Sequence, residues 1–213
     1  QMITAVFDLD GTLADTLCDL ADATNYALRT LGYPEHPYEK YNYFVGNGVQ
    51  KLCFRALPED KKDDTDKMLE LFSEYYGEHF LDKTKLYPQI RETLHKLADS
   101  GVKLAVATNK PENFAVKITD ALLPEISFVK VLGGKRPKKP DTAILDEIFA
   151  ALPDEENRAF MIGDSNVDIQ TGKNAGIETI GCVWGFRGRQ ELEDAGADHI
   201  ANTADDIAKF ILE

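Results

Sequence analysis

The chain has 213 residues, 43% of them apolar, which supports one full core with a smaller appended unit and excludes a disordered polymer. Lys and Arg number 24 against 37 Asp and Glu, and the resulting net charge of −13 argues against nucleic acid or a membrane surface as partner. No apolar run approaches the roughly 20 residues that span a bilayer, and Cys18, Cys53 and Cys182 show neither zinc spacing nor a disulfide framework, so reduced thiols in the cytoplasm are expected.

The chain enters a strand at once, over residues 3–7, which leaves no room for a signal peptide. Asp8 and Asp10 emerge at that strand's C-terminal tip, and Gly11 turns the chain away. Two carboxylates this close repel each other unless a positive group lies between them. A divalent metal and phosphoryl chemistry are the first reading of that pair. Helices are expected over 16–31, 39–45, 49–57 and 59–80, with breaks at Gly32, Gly46-Asn47-Gly48 and Pro58. No strand is expected between Asp15 and about Leu86, so this stretch is an all-helical insertion.

From Pro88 the pattern alternates. Helix 89–100, strand 102–107, helix 111–123 and strand 128–132 come first. Helix 141–152, strand 159–162, helix 169–175 and strand 179–183 follow, then a short strand at His199-Ile200 and helix 205–212. Short apolar strands between amphipathic helices imply the α/β class, a Rossmann-like parallel sheet with helices on both faces. The expected division is a core of residues 1–15 and 87–213 and a helical unit of residues 16–86.

Four polar clusters stand at strand ends: Asp8-x-Asp10, Thr108-Asn109, Lys138-Lys139-Pro140-Asp141 and Gly163-Asp164-Ser165-Asn166-Val167-Asp168. Each alone has an ordinary reading as a turn, a helix cap or a solvated helix start. Together, on one edge of a parallel sheet, they can converge on a single cavity. Asp8 is the candidate nucleophile, since a carboxylate can hold a phosphoryl group as an acyl phosphate. Asp10 is placed to protonate the leaving oxygen and then to activate water. Asp164 adds a carboxylate for Mg²⁺ beside Asp8, and Asp168 is a secondary metal-shell residue that also orients the lysine. The Thr108 hydroxyl and the Asn109 backbone amide are donors for phosphoryl oxygens. Lys139 neutralises the charge that spreads over those oxygens.

This ordered set resembles the motifs of the haloacid dehalogenase superfamily of aspartate-dependent phosphotransferases, over essentially the whole chain. Asp8-Leu9-Asp10-Gly11-Thr12-Leu13 resembles the first motif and Val106-Ala107-Thr108-Asn109 the second. Lys139-Pro140 is similar to the third, and the cluster from Gly163 to Asp168 to the fourth. The resemblance implies a type-1 helical cap hinged near 15–17 and 81–87. It also implies that Asp10 gives the metal only its backbone carbonyl, and that the aspartate there favours phosphoryl transfer over dehalogenation. Within the superfamily the chain looks most like the phosphoglycolate phosphatases, through Phe44-Val45-Gly46-Asn47-Gly48, Trp184-Gly185-Phe186 and Ala195-Gly196-Ala197-Asp198. Gly172 departs from the alanine of many relatives, at an expected cost of about 1 kcal/mol of helix stability.

Asn47, Lys51 and Arg55 are the cap candidates for binding a substrate carboxylate, Lys51 and Arg55 by their i, i+4 spacing. A solvated basic face explains the last two equally. Arg136, Arg187 and Arg189 read as surface residues, and the four histidines show no metal spacing. The expected protein is a monomeric or homodimeric, Mg²⁺-dependent phosphatase of a small phosphorylated metabolite, 2-phosphoglycolate first. A sugar-phosphate mutase of the β-phosphoglucomutase kind and a non-catalytic scaffold are the competing readings.

Overall fold

The computed structural model describes all 213 residues. β1 (Met2–Phe7) runs through the middle of a sheet, with Ala5, Val6 and Phe7 fully buried. After a tight turn, the two-residue β2 (Ala14–Asp15) leads into the helical insertion. There α1 (Leu17–Thr30), α2 (Tyr38–Phe44), α3 (Val49–Ala56) and α4 (Thr65–His79) pack around their own apolar cluster, which includes Leu20, Leu28, Tyr41, Leu52 and Phe72.

The single helix expected over 59–80 is broken. Glu59–Asp64 is a 3₁₀ segment in which Lys61 leaves helical geometry, and none of its residues is buried. These six residues are all charged, so no apolar face packs them into a regular helix. β3 (Lys85–Leu86) then pairs antiparallel with β2, Ala14 opposite Leu86. The sequence predicts no strand there, because two residues carry no alternation to read.

The rest alternates as α5 (Ile90–Asp99), β4 (Lys103–Ala107), α6 (Glu112–Leu122), β5 (Val131–Leu132), α7 (Ala143–Ala150), β6 (Asn157–Gly163) and α8 (Asn166–Ala175). β7 (Glu178–Cys182), α9 (Arg189–Asp194), β8 (His199–Ala201) and α10 (Ala204–Leu212) complete it. The short α9 has no counterpart among the expected elements. The parallel sheet has the order β5-β4-β1-β6-β7-β8, and its helices cover both faces, as an α/β Rossmann-like core requires. Alternation along β1 divides the core: Ala5 and Phe7 join Leu94, Ile118 and Ile207, while Val6 joins Ile144, Leu145 and Ile148 on the opposite face.

The chain moves from β1 to β4 on one side and later to β6 on the other, so the crevice of the sheet opens at the tip of β1. Phe7 stands opposite both Val106 and Ile162, which brings Asp8, Thr108 and Asp164 out at adjacent tips. No helix is long and apolar enough to cross a membrane. All three cysteines are free, Cys53 and Cys182 buried.

Gly172 proves to be a packing residue. A Cβ there would lie 2.3 Å from Thr179 Cγ2 and 3.1 Å from Met161 Cβ, so glycine lets α8 settle against β6 and β7. The helix-propensity cost expected from the sequence is real in isolation. Close approach to the sheet outweighs it.

Candidate active site

Three carboxylates meet at the tip of β1. One oxygen each from Asp8, Asp164 and Asp168 lies within 4.8 Å of the others, and all three residues are buried. Lys139 sits among them, its Nζ 2.6 Å from Asp168 Oδ1 and 3.2 Å from Asp8 Oδ1. Asp168 is held there by the start of α8, where it forms a capping box with Ser165. Its Oδ2 accepts from the backbone N–H groups of Asp164 (3.1 Å) and Ser165 (3.2 Å) and from the Ser165 hydroxyl (3.3 Å). Asp164 Oδ2 accepts from the Phe186 N–H at 2.9 Å. Gly11 makes room for this carboxylate: its φ is +81°, and a Cβ would fall 2.2 Å from Asp164 Oδ2.

Three carboxylates against one ammonium leave a formal charge of −2 in a buried space. Burial, and then the neighbouring Asp168, pushes Asp8 up to about 7, against the pull of Lys139. Burial followed by Asp168 likewise raises Asp164 well above the ordinary carboxylate range. Burial by itself would lower Lys139, but Asp168 and Asp8 outweigh it and hold the ammonium above its usual value. An all-oxygen donor set with two uncompensated charges fits a hard divalent cation. Asp8 and Asp164 each have lone pairs left for such an ion beside their bonds to Lys139 and to the Thr12 hydroxyl and Phe186 N–H. Both oxygens of Asp168 already serve Lys139 and the start of α8.

The Asp10 side chain turns away from this cluster. Its Oδ1 accepts from the Thr16 hydroxyl at 2.6 Å and from Lys110 Nζ at 3.0 Å. Asp8, Asp10, Thr108, Asn109 and Lys110 form one wall of a chamber closed from the insertion side by Leu20, Val45, Gly46, Val49 and Leu52. The cavity volume is about 30 Å³, space for two or three waters at about 10–15 Å³ each. Thr108 Oγ1 accepts from the Lys110 N–H at 3.1 Å, which leaves its own proton to donate into the chamber. The Asn109 side chain braces Lys139 from both sides, accepting from its N–H at 2.8 Å and donating to its carbonyl at 3.2 Å.

Lys110 is the residue that sequence reasoning misses. It is fully buried, and its Nζ also meets the Tyr76 hydroxyl at 2.6 Å. One signal in the chain could have found it. It directly follows the Thr108-Asn109 cluster and precedes Pro111, where a lone lysine at a strand end in an acidic protein is an oddity.

The insertion meets the core along a polar seam. Asn109 Nδ2 donates to the Gly46 carbonyl at 3.1 Å, and Lys138 Nζ to that of Asn47 at 3.4 Å. Arg187 is not a free surface residue: it donates to the carbonyls of Asn42 (2.9 Å), Tyr43 (3.3 Å) and Val45 (3.0 Å) at the end of α2. Arg136 is similarly engaged by Glu112 and Glu147, whereas Arg189 is exposed. Asn47 and Lys51 line a second cavity of about 400 Å³ with Lys138, Lys139 and Asn109. Arg55 lies outside both cavities, its guanidinium donating to the Tyr43 and Phe44 carbonyls. The i, i+4 pair is therefore split, with Lys51 on the cavity and Arg55 on a helix end.

Comparison with known proteins follows the same outline. The family model described as haloacid dehalogenase-like hydrolase matches residues 5–182. The phosphoglycolate phosphatase of Vibrio parahaemolyticus is 33% identical over 96% of this chain and 94% of its own length. That of Psychrobacter arcticus is 35% identical over 98% and 95%. Among solved structures, a protein from Lactobacillus delbrueckii subsp. bulgaricus superimposes with a TM-score of 0.89 at 31% identity, covering 98% of this chain and 97% of its own. A predicted phosphoglycolate phosphatase from Haemophilus somnus gives 0.85 at 29%, with the same coverage.

Proposed function

The chain belongs to the haloacid dehalogenase-like hydrolases, and on that premise we propose that this phosphatase is a Mg²⁺-dependent phosphomonoesterase whose substrate is 2-phosphoglycolate. The observation that carries the reading is the buried cluster of Asp8, Asp164, Asp168 and Lys139 at the sheet's crevice, whose net negative charge one divalent cation would balance. Asp8 and Asp164 would hold Mg²⁺, with the Asp10 backbone carbonyl contributing. When bound, the ion supplies positive charge to the phosphoryl oxygens.

In this reading an Asp8 oxygen attacks phosphorus and the ester P–O bond breaks. Asp10 gives its proton to the departing alkoxide, leaving Asp8 as an acyl phosphate. The Asp10 carboxylate then takes a proton from water, whose oxygen attacks the same phosphorus. Inorganic phosphate leaves and the Asp8 carboxylate is restored. The Thr108 hydroxyl, the Asn109 backbone amide and Lys139 meet the charge on the phosphoryl oxygens throughout. Lys139 is held for this by Asp168 and Asn109.

Residues 16–86 act as a cap over a core of residues 1–15 and 87–213. A chamber of about 30 Å³ is too small for a whole phosphoester, so the cap opens to admit substrate and shuts to exclude bulk water. Asn47 and Lys51 face the substrate carboxylate from the cap side, next to Lys138. Similarity to the two phosphoglycolate phosphatases over nearly full length supports this substrate.

A phosphate-release screen over phosphoglycolate, sugar phosphates, nucleotides and pyrophosphate, with EDTA or Mg²⁺, tests the proposal. Release from phosphoglycolate in Mg²⁺ alone is expected. Turnover of none of them would sink the reading, and conversion of a sugar phosphate into its isomer would replace it with a mutase.

A further inference from the structure

We propose that Lys110 is a positioning residue for Asp10, and that Tyr76 of the helical insertion fixes Lys110, so that proton delivery to the leaving group depends on a seated cap. This rests on the phosphatase reading above, in which Asp10 is the acid.

The two aspartates of the opening motif have separate lysines. Lys139 pairs with Asp8 and Asp168, and all three belong to the sheet domain. Lys110 pairs with Asp10 at 3.0 Å, with only 1% of its side chain exposed. A lysine buried to that degree is costly unless its charge is matched, and an apolar residue would fill the same space at less expense. A buried ammonium at this place is accounted for by a use of the charge itself.

The geometry supplies one. Both Lys110 and Thr16 donate to Asp10 Oδ1, at 3.0 and 2.6 Å. Two donors on one oxygen fix the rotation of the carboxyl group and leave Oδ2, which accepts no bond from the protein, as the atom free to carry the proton. Asp10 and Lys110 both line the chamber beside Asp8. An ammonium has three donors, and the protein uses two of the three here.

The second bond leads to the insertion. Tyr76 OH lies 2.6 Å from Lys110 Nζ, and the ammonium stands 4.7 Å from the centre of the same ring. Tyr76 is itself immobilised, stacked on Phe72 at 5.1 Å and edge-on to Phe114 of α6 at 4.8 Å. Two hydrogen bonds therefore connect α4 to the acid. The lysine of the nucleophile's half is paired within the core alone, while the acid's half is completed from the insertion, by Thr16 at its start and by Tyr76 through Lys110.

The test compares kcat/KM for phosphoglycolate, whose alkoxide needs a proton to depart, with that for p-nitrophenyl phosphate, whose leaving group does not. This parameter reports only the steps up to departure of the leaving group, so the later hydrolysis does not obscure the comparison. Asp10→Asn sets the scale, with a selective loss of about 100-fold or more on phosphoglycolate. Lys110→Met is expected to lose about 10–100-fold on phosphoglycolate and several-fold less on the aryl ester. Tyr76→Phe should shift the same ratio in the same direction by about 3–10-fold, and Lys110→Arg should recover part of the loss. Should Lys110→Met not fold, Tyr76→Phe deletes a single oxygen and carries the same comparison.

Equal losses on both esters in the Lys110 or Tyr76 variants overturn the proposal while leaving the phosphatase reading intact. An unchanged ratio in Tyr76→Phe also overturns it, since Tyr76 would then have no hold on the acid through Lys110. Parent protein that hydrolyses neither ester overturns both.

Discussion

Replacing Asp8 by Asn is expected to abolish turnover and, in the absence of metal, to stabilise the fold at neutral pH. Burial and Asp168 lift Asp8 from the ordinary 3.8 to about 7, which at 1.36 kcal/mol per tenfold corresponds to about 4 kcal/mol of charging cost in the folded state. The native protein keeps this proton up to about pH 7, while the unfolded chain loses it near 3.8. Between those values the folded state binds more protons, so this contribution to stability is complete below the lower value and is lost as pH rises through the upper one. Asn carries no charge and leaves Lys139 paired with Asp168 at 2.6 Å.

The advantage of Asn over Asp in metal-free protein should therefore grow by about 3 kcal/mol between pH 5 and pH 8. Urea denaturation of both proteins in EDTA at the two pH values measures it directly. Adding Mg²⁺ at pH 8 should stabilise the parent more than the variant, because binding to the folded state adds RT ln(1 + [Mg²⁺]/Kd) and the variant binds the ion more weakly. An advantage that does not grow with pH would refute the argument, since it would mean that the cluster is not a site of unbalanced negative charge.

Arg187→Ala should loosen the seated cap, because three carbonyls at the end of α2 lose a charged donor worth about 1.5–3 kcal/mol in all. Faster proteolysis within residues 81–87, in a protein whose global stability falls by no more than that amount, is the expected readout. Gly172→Ala should destabilise by about 1–3 kcal/mol despite alanine's better helix propensity, because the new Cβ meets Thr179 Cγ2 at 2.3 Å. Thr179→Ser in the same chain should restore much of the melting temperature. Lys51→Ala is expected to raise KM for phosphoglycolate about tenfold through loss of a carboxylate partner, with KM for p-nitrophenyl phosphate little changed. Equal changes for both substrates would remove Lys51 from the substrate site.

How far each part was legible in the chain depends on what its signal consists of. Asp8, Thr108 and Asp164 each follow an apolar strand, so their convergence could be worked out from the parallel order alone. Lys110 and Tyr76 lie 34 positions apart and meet through the packing of α4 on α6 at Phe114, which no local pattern encodes. Periodicity places Lys51 and Arg55 on one side of α3, yet the end of α2 claims Arg55 and the cavity takes Lys51. Arg187 reads as a surface residue because its partners are backbone carbonyls, and backbone groups leave no trace in residue identity.

The net charge of −13 sets the terms on which such a site can bind an anion. Two kinds of cation lie near the seam. Arg55 and Arg187 are committed to the carbonyls at the end of α2, where they complement the negative end of the helix, Arg55 from within the insertion and Arg187 from across the seam. Their mutual repulsion, after burial, lowers Arg55, so a third positive group in the same place would be poorly tolerated. Lys51, Lys138, Lys139 and Lys110 instead face the two cavities. Of these, Lys139 and Lys110 are matched by carboxylates, and Lys51 and Lys138 have no ion-pair partner. In the proposed reading, attraction for an incoming anion rests on the cap side and the loop before Lys139, while the matched pair inside would serve charge that develops on phosphorus and on the leaving oxygen. On that reading an acidic exterior is compatible with an anionic substrate, because recognition and chemistry would draw on different lysines.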